Sequence, residues 1–205
     1  MPKLEFWYEF ASTYSYIAAM RIEAVADKAG IGVDWRPFLL GPIFAAQGWS
    51  DTPFNLYPAK GRYMVRDMER LAAAENLKFA MPETFPAMGL HAARIALIAA
   101  DDGFVADFSK AVYLAEFAEG KNIADPQVLG EIVYAVGHDP DSIAERATAP
   151  ENKERLKAQT ARAMELGLFG APTFICGDGE MFWGNDRMEE AFAWAALHRQ
   201  EGADE

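Results

Sequence analysis

Among its 205 residues the chain has a single cysteine, Cys176. One thiol excludes an intramolecular disulfide, a Cys-x-x-Cys redox pair and a cysteine-rich zinc site. Histidine is scarce too. His91, His138 and His198 stand far apart, and none falls in a metal-ligand spacing. Lysine and arginine together number 19 against 31 acidic residues, which leaves a net charge of −12. A chain this acidic suits neither a nucleic-acid backbone nor an anionic membrane surface, so neither is expected as a partner. No apolar run is long enough to span a bilayer, and no basic segment leads into an apolar one at the start; a cytoplasmic setting is expected. No periodic repeat points to a solenoid.

What is present is apolar mass and a strongly marked opening. The hydrophobic fraction of 51% is enough for one sizeable domain or two small ones sharing a core. In residues 4–9, Leu4, Phe6 and Tyr8 alternate with Glu5, Trp7 and Glu9, the pattern of a strand. Ile17, Met20, Ile22, Val25 and Ala26 then recur at helical spacing up to Gly30. Between the two lies Ser12-Thr13-Tyr14-Ser15. A helix N-terminus carries unpaired N–H groups and a partial positive charge, so it stabilises an anion. Ser12 can serve that anion, or it can be a plain cap that accepts a backbone N–H. The turn alone does not separate these readings.

The rest of the chain is read in order. Residues 33–40 form a second strand, with Pro37 marking an edge or kink. Residues 41–58 lose all period and carry several Gly, Pro and aromatic residues, as a long functional loop does. A helix follows over 60–76. Arg62, Arg66 and Arg70 are expected on its solvated face, and Lys60 stands at the junction of loop and helix. Apolar spacing and Pro/Gly punctuation predict helices over 89–100, 104–120, 126–136, from 138, and over 150–166. Residues 169–176 read as a turn and a third strand, and 180–183 return across Gly177-Asp178-Gly179 as a fourth, a β-hairpin. A last helix is expected over 188–199 with Asn185 or Asp186 as its cap, ahead of an acidic tail. The order predicts an α/β, thioredoxin-like fold. Residues 1–40 and 167–205 form one domain, and 41–166 form a large all-helical insertion facing it across a cleft.

Four stretches together resemble one family. They are Ser12-Thr13-Tyr14-Ser15, Ala59-Lys60-Gly61-Arg62-Tyr63, Gly170-Ala171-Pro172-Thr173-Phe174, and Phe182-Trp183-Gly184-Asn185-Asp186-Arg187. Their order and spacing resemble the 2-hydroxychromene-2-carboxylate isomerases and kappa-class glutathione transferases of the DsbA-like thioredoxin superfamily. The resemblance implies glutathione as cofactor, a small aromatic substrate, and often a homodimer. It implies that Ser12 donates a hydrogen bond to the glutathione sulfur and favours its thiolate. It implies a cis Pro172, with the Ala171 backbone pairing to the cysteinyl part. Asn185 and Asp186 would hold the γ-glutamyl end, Lys60 the glycyl carboxylate, and Arg187 would brace the helix or the cleft.

This chain departs from the pattern at three places. Thr13 stands where the family usually has Pro. Asp51, with Asn55 nearby, falls where the transferases have a glutathione-contacting Asn. Met88 replaces a small polar residue beside the second-substrate pocket, which Phe38, Phe44, Trp49, Phe54 and Tyr57 are expected to shape. The implied activity is isomerisation of a chromene carboxylate in aromatic-hydrocarbon breakdown. The alternatives are a kappa-like transferase, a thiol-dependent reductase or dehalogenase, and a non-catalytic thioredoxin-like binding module.

Overall fold

The computed structural model describes residues 2–198. The expected end of the last helix at Arg199 and the acidic tail lie outside these residues. Strand β1 (Lys3–Tyr8) leads into α1 (Thr13–Ala29), and β2 (Gly32–Pro37) returns parallel to β1. Helices α2 (Leu40–Ala46), α3 (Pro53–Leu56), α4 (Pro58–Ala74), α5 (Leu90–Asp102), α6 (Val105–Phe117), α7 (Pro126–Ala135), α8 (Pro140–Thr148) and α9 (Pro150–Glu165) follow. The antiparallel hairpin β3 (Thr173–Ile175) and β4 (Met181–Trp183) then completes a sheet of order β2-β1-β3-β4. Helix α10 (Met188–Leu197) closes the described chain. This is the expected thioredoxin-like arrangement with its long helical segment between β2 and β3.

Helix α1 starts and stops for local reasons. Ser12 caps it with extended dihedrals, and Gly30 ends it in the left-handed conformation, φ 65°. Strand β1 is buried on both faces. Phe6 stacks on Phe174 at 5.5 Å and meets Trp35 edge-on at 5.0 Å, in a large cluster shared with Met64, Phe108 and Phe192. Trp7 points the other way, into a second cluster with Phe38, Ile43, Ala163, Leu168 and Ile175. On that face Glu5 is paired with Arg162 at 2.9 Å and Arg36 at 3.4 Å, which makes a charge beside an apolar cluster tolerable. The large cluster draws side chains from both chain ends and from the helical segment between them. Among the described residues no helix is long and apolar enough to cross a membrane.

Three sequence readings need correction. The second strand stops at Pro37, and Leu40 opens a helix. The aperiodic stretch is not one loop, because it holds α2 and α3; Thr52 caps α3 by accepting from Asn55 N, with Pro53 at its first position. Neither Asn185 nor Asp186 caps α10. A 3-10 turn, Asn185–Arg187, precedes that helix without any side-chain cap bond. Gly184 forces this route, since its φ of 110° and ψ of 147° suit only glycine. A Cβ there would also lie 2.5 Å from Oδ1 of Asp186.

Candidate active site

The site is built where the head of α1 meets the segment before β3. Ser12 is the cap its sequence allowed, and its hydroxyl makes a second bond as well. Its Oγ accepts from Ser15 N at 3.2 Å, the capping bond. Its hydroxyl also donates to the carbonyl of Ala171 at 3.0 Å. The Ala171–Pro172 peptide is cis. The β-ladder begins only at Thr173, so the main chain of Ala171 stands beside Ser12 outside the sheet. Pro172 passes the geometry on: its carbonyl accepts from Gly184 N at 2.9 Å, which sets Asn185 and Asp186 directly behind the cis-proline segment. Gly170 is required by packing, because the Trp183 indole occupies the place its Cβ would take.

Asn185 is 5% exposed, and its Oδ1 accepts from Arg21 on α1 at 3.3 Å. Arg21 is held in turn by Glu75 at 2.9 Å and by Glu189. Asn185 therefore ties the 3-10 turn to α1. Asp186 is exposed, and no ion pair involves it among the described residues. Arg187 pairs with Glu190 at 3.4 Å, one turn along α10, so it braces that helix.

Lys60 lies in the first turn of α4, exposed, with its ammonium 5.8 Å from the Tyr57 ring centroid and no acid in ion-pair range among the described residues. No contact joins it to Ser12. The next turn of α4, however, is docked on the head of α1. Thr13 donates to the Met64 sulfur at 3.4 Å, and Tyr14 to Asp67 at 2.9 Å. Lys60 is thus displaced from that junction by one helical turn, about 6 Å along the axis. A close approach places α3 against the same turn, since a Cβ on Gly61 would lie 2.5 Å from the Phe54 carbonyl.

The structure therefore joins Ser12, Ala171 and Pro172 directly. It connects Asn185 and Asp186 through Gly184, and leaves Lys60 one helical turn from the α1–α4 junction. Asn55 gives its amide to both oxygens of Asp51 at 3.1 Å, so those two side chains satisfy each other. Of the five pocket aromatics, Phe38 is fully buried in the core and lines nothing. Phe44 and Trp49 pack together at 5.4 Å, and Tyr57 is 57% exposed. Met88, 64% exposed, stands one residue before Gly89, which lies against Phe10 at the head of the site.

The electrostatics centre on the turn. No acid occupies the first turn of α1, so the partial positive charge of its N-terminus is not offset there. Cys176 is no nucleophile. Its thiol donates to Ala191 O at 3.4 Å, and burial pushes it up to about 11. One acid was missed by sequence reasoning. Glu9 is 9% exposed and accepts from Ala11 N at 3.1 Å; burial pushes its carboxyl up to about 7, against the pull of that N–H. The alternation of β1 placed Glu9 on a polar face, but the strand ends at Tyr8 and the chain turns inward.

These residues fit glutathione as a ligand. They include a hydroxyl at a helix terminus, free-standing main chain, and an ammonium and a carboxylate that are in no ion pair among the described residues. A 2-hydroxychromene-2-carboxylate isomerase from Sphingobium xenophagum is 27% identical over 187 residues, covering 91% of this chain and 94% of that protein. Human glutathione S-transferase kappa 1 is 24% identical, covering 91% and 86%. A solved 2-hydroxychromene-2-carboxylate isomerase superposes with a TM-score of 0.85 at 25% identity, covering 97% of both chains. The model of the DSBA-like thioredoxin domain matches residues 3–192. With that match spanning the sheet, the helical segment and every candidate site residue, the chain belongs to the DSBA-like thioredoxin domain family.

Proposed function

We propose that this protein is a glutathione-dependent isomerase acting on a conjugated aromatic acid of the 2-hydroxychromene-2-carboxylate type. The observation that carries the reading is the Ser12 hydroxyl, set at the N-terminus of α1 and 3.0 Å from the Ala171 carbonyl. When bound, glutathione would supply a thiolate nucleophile for reversible addition to the conjugated double bond, the chemistry a cis-trans isomerisation needs. The chain's own residues make that possible. Ser12 turns its hydroxyl from Ala171 to the sulfur and, with the helix terminus, favours the ionised form. The Ala171 main chain, released from Ser12, pairs with the ligand backbone as an added strand. Asp186 takes the γ-glutamyl amine, Lys60 the glycyl carboxylate, and Asn185 fixes the turn that presents Asp186. Tyr57 and Met88, both exposed, line the approach of the second substrate.

Calorimetric titration with glutathione, with ultraviolet thiolate absorbance on the same samples, tests this for the unsubstituted chain and Ser12→Ala. Binding with a thiolate at neutral pH, and loss of that thiolate in Ser12→Ala with binding retained, supports the reading. No binding at millimolar glutathione ends it in favour of a binding module. A kappa-like transferase is the second reading, favoured by the human relative. Release of a glutathione conjugate, in place of recovered glutathione, assigns it.

A further inference from the structure

Arg21 lies on α1, and the proposed reaction gives it no part. Its guanidinium is held on three sides. Nε pairs at 2.9 Å with Glu75, which ends α4; Nη2 pairs with Glu189 on α10; and Nη1 donates to Oδ1 of Asn185 at 3.3 Å. The Arg21 side chain is 22% exposed, so this is a shielded network that joins three helices to the 3-10 turn. Two acids against one guanidinium leave no net positive charge here. What Arg21 contributes to a ligand site is therefore the direction of its hydrogen bonds.

That direction is set by chemistry. A guanidinium carries donors only, whereas a primary amide carries an acceptor on one arm and two donors on the other. Arg21 therefore admits one orientation of the Asn185 amide, with the oxygen towards α1 and the nitrogen away from it. Asn185 is 5% exposed, so the neighbouring structure holds the side chain in place. Among the described residues Nδ2 takes no hydrogen-bond partner, yet it is not one of the buried polar atoms left without one. Asn185 thus keeps two unused N–H donors with access to solvent. The next residue, Asp186, is exposed and can only accept when ionised.

We propose that Arg21 is a positioning residue that locks Asn185 as a hydrogen-bond donor, so that the turn selects a ligand bearing a carboxylate beside an ammonium group. The Asn185 donors meet the carboxylate, and Asp186 meets the ammonium. An α-amino acid end carries both groups on one carbon, and the γ-glutamyl end of glutathione is such an end. Without the guanidinium the amide is free to flip, and its oxygen then faces the carboxylate with no hydrogen to give. Arg21 touches neither ligand nor reacting atoms in this scheme. The choice of ligand rests on the glutathione reading; the state of the amide does not.

Calorimetry with glutathione, and with the same tripeptide lacking the γ-glutamyl α-carboxylate, is run on the unsubstituted chain, Arg21→Gln and Arg21→Lys. Glutamine accepts as well as donates, so it no longer dictates the amide orientation; lysine still only donates. The readout is the ratio of the two affinities. It is expected to fall at least about fivefold in Arg21→Gln, short of a full hydrogen bond to a charged group because the amide still visits the donating orientation. Affinity for the truncated tripeptide should hold, and Arg21→Lys should recover most of the ratio. A purely structural Arg21 weakens both ligands alike, and an unchanged ratio overturns the proposal. Should Arg21→Gln fail to fold, nitrogen NMR of the unsubstituted chain decides: fast exchange of the Asn185 amide hydrogens with water supports unused donors, and protected hydrogens overturn them. If glutathione does not bind the unsubstituted chain, the glutathione reading fails by itself. Free glutamate is then the probe. A shift of the Asn185 amide resonance that Arg21→Gln abolishes keeps the present proposal, and no shift overturns it.

Discussion

The hydroxyl of Ser12 donates to the carbonyl of Ala171, 159 residues further along the chain, at 3.0 Å. The bond joins the capping residue of α1 to the residue before a cis-proline, so one side chain holds a helix terminus and a free-standing strand end together. In the proposed function, a ligand N–H that pairs with the Ala171 carbonyl would compete with the Ser12 hydroxyl for it and free that hydroxyl for the ligand.

Ser12→Ala removes both bonds of that hydroxyl. Loss of the cap is expected to cost about 1 kcal/mol of stability, read by urea denaturation. A hydrogen bond to a charged group contributes about 1.5–3 kcal/mol, so the ratio of ionised to protonated bound glutathione should fall about 10- to 150-fold. Unchanged thiolate absorbance would show that the helix terminus suffices alone.

Glu9 makes stability depend on pH in a definite direction. Its folded value, about 7, lies above the ordinary 4.5, so the folded state binds the extra proton between those limits. That stability is complete below 4.5 and is lost as pH rises through about 7. Glu9→Gln should make the fall shallower by up to about 1.4 kcal/mol per pH unit in this window, measured by urea denaturation across it. The same slope in both proteins would mean that Glu9 is ionised throughout.

Gly170→Ala drives a methyl into the Trp183 indole, in contact with the segment that carries Ala171. Overpacking of this kind costs about 1–3 kcal/mol. Trp183 is 51% exposed, so Gly170→Ala combined with Trp183→Ala should recover most of the loss. A double variant as unstable as Gly170→Ala alone would place the strain in the backbone.

Lys60 and Asp186 are exposed and, among the described residues, in no ion pair, so their contributions to glutathione binding are expected to be small and screened by salt. Lys60→Ala and Asp186→Ala should each weaken binding about two- to fivefold at low ionic strength, and less at high salt, by calorimetry. A loss that does not depend on salt would indicate a structural role.

The parts of the molecule legible in the sequence are those specified locally. The alternation of Leu4, Phe6 and Tyr8, the stop at Gly30 and the Gly177-Asp178-Gly179 turn place β1, α1 and the hairpin within a residue or two. The order of these elements then leaves few ways to pair the strands. Helices α2 and α3 escaped because 7 and 4 residues are too few to establish a period, although Thr52-Pro53 was a start signal. Asn185 and Asp186 looked like caps because cap residues were judged without the backbone of Gly184. The fully buried Glu116 was legible and overlooked. It falls four residues after Val112 on the stripe from Phe108, where an apolar side chain belongs. What no local pattern carried was the depth of Glu9, which depends on α6 and Gly89 closing over the turn.

Strand β1 lies inside the sheet, yet its neighbour on one side is β3, synthesised about 165 residues later. At roughly 5–20 residues per second, the ribosome leaves that edge of β1 without its partner for on the order of ten to thirty seconds. Until then a nascent chain carries Phe6 and Trp7 on a strand with one open side, a template for pairing with the wrong chain. The helical segment emerges during this interval, and Tyr113 reaches Glu9 before Ala171 reaches Ser12. A chain that stops after α6 and before Ala171 therefore lacks the partner of the Ser12 hydroxyl, the contact on which the proposed chemistry depends.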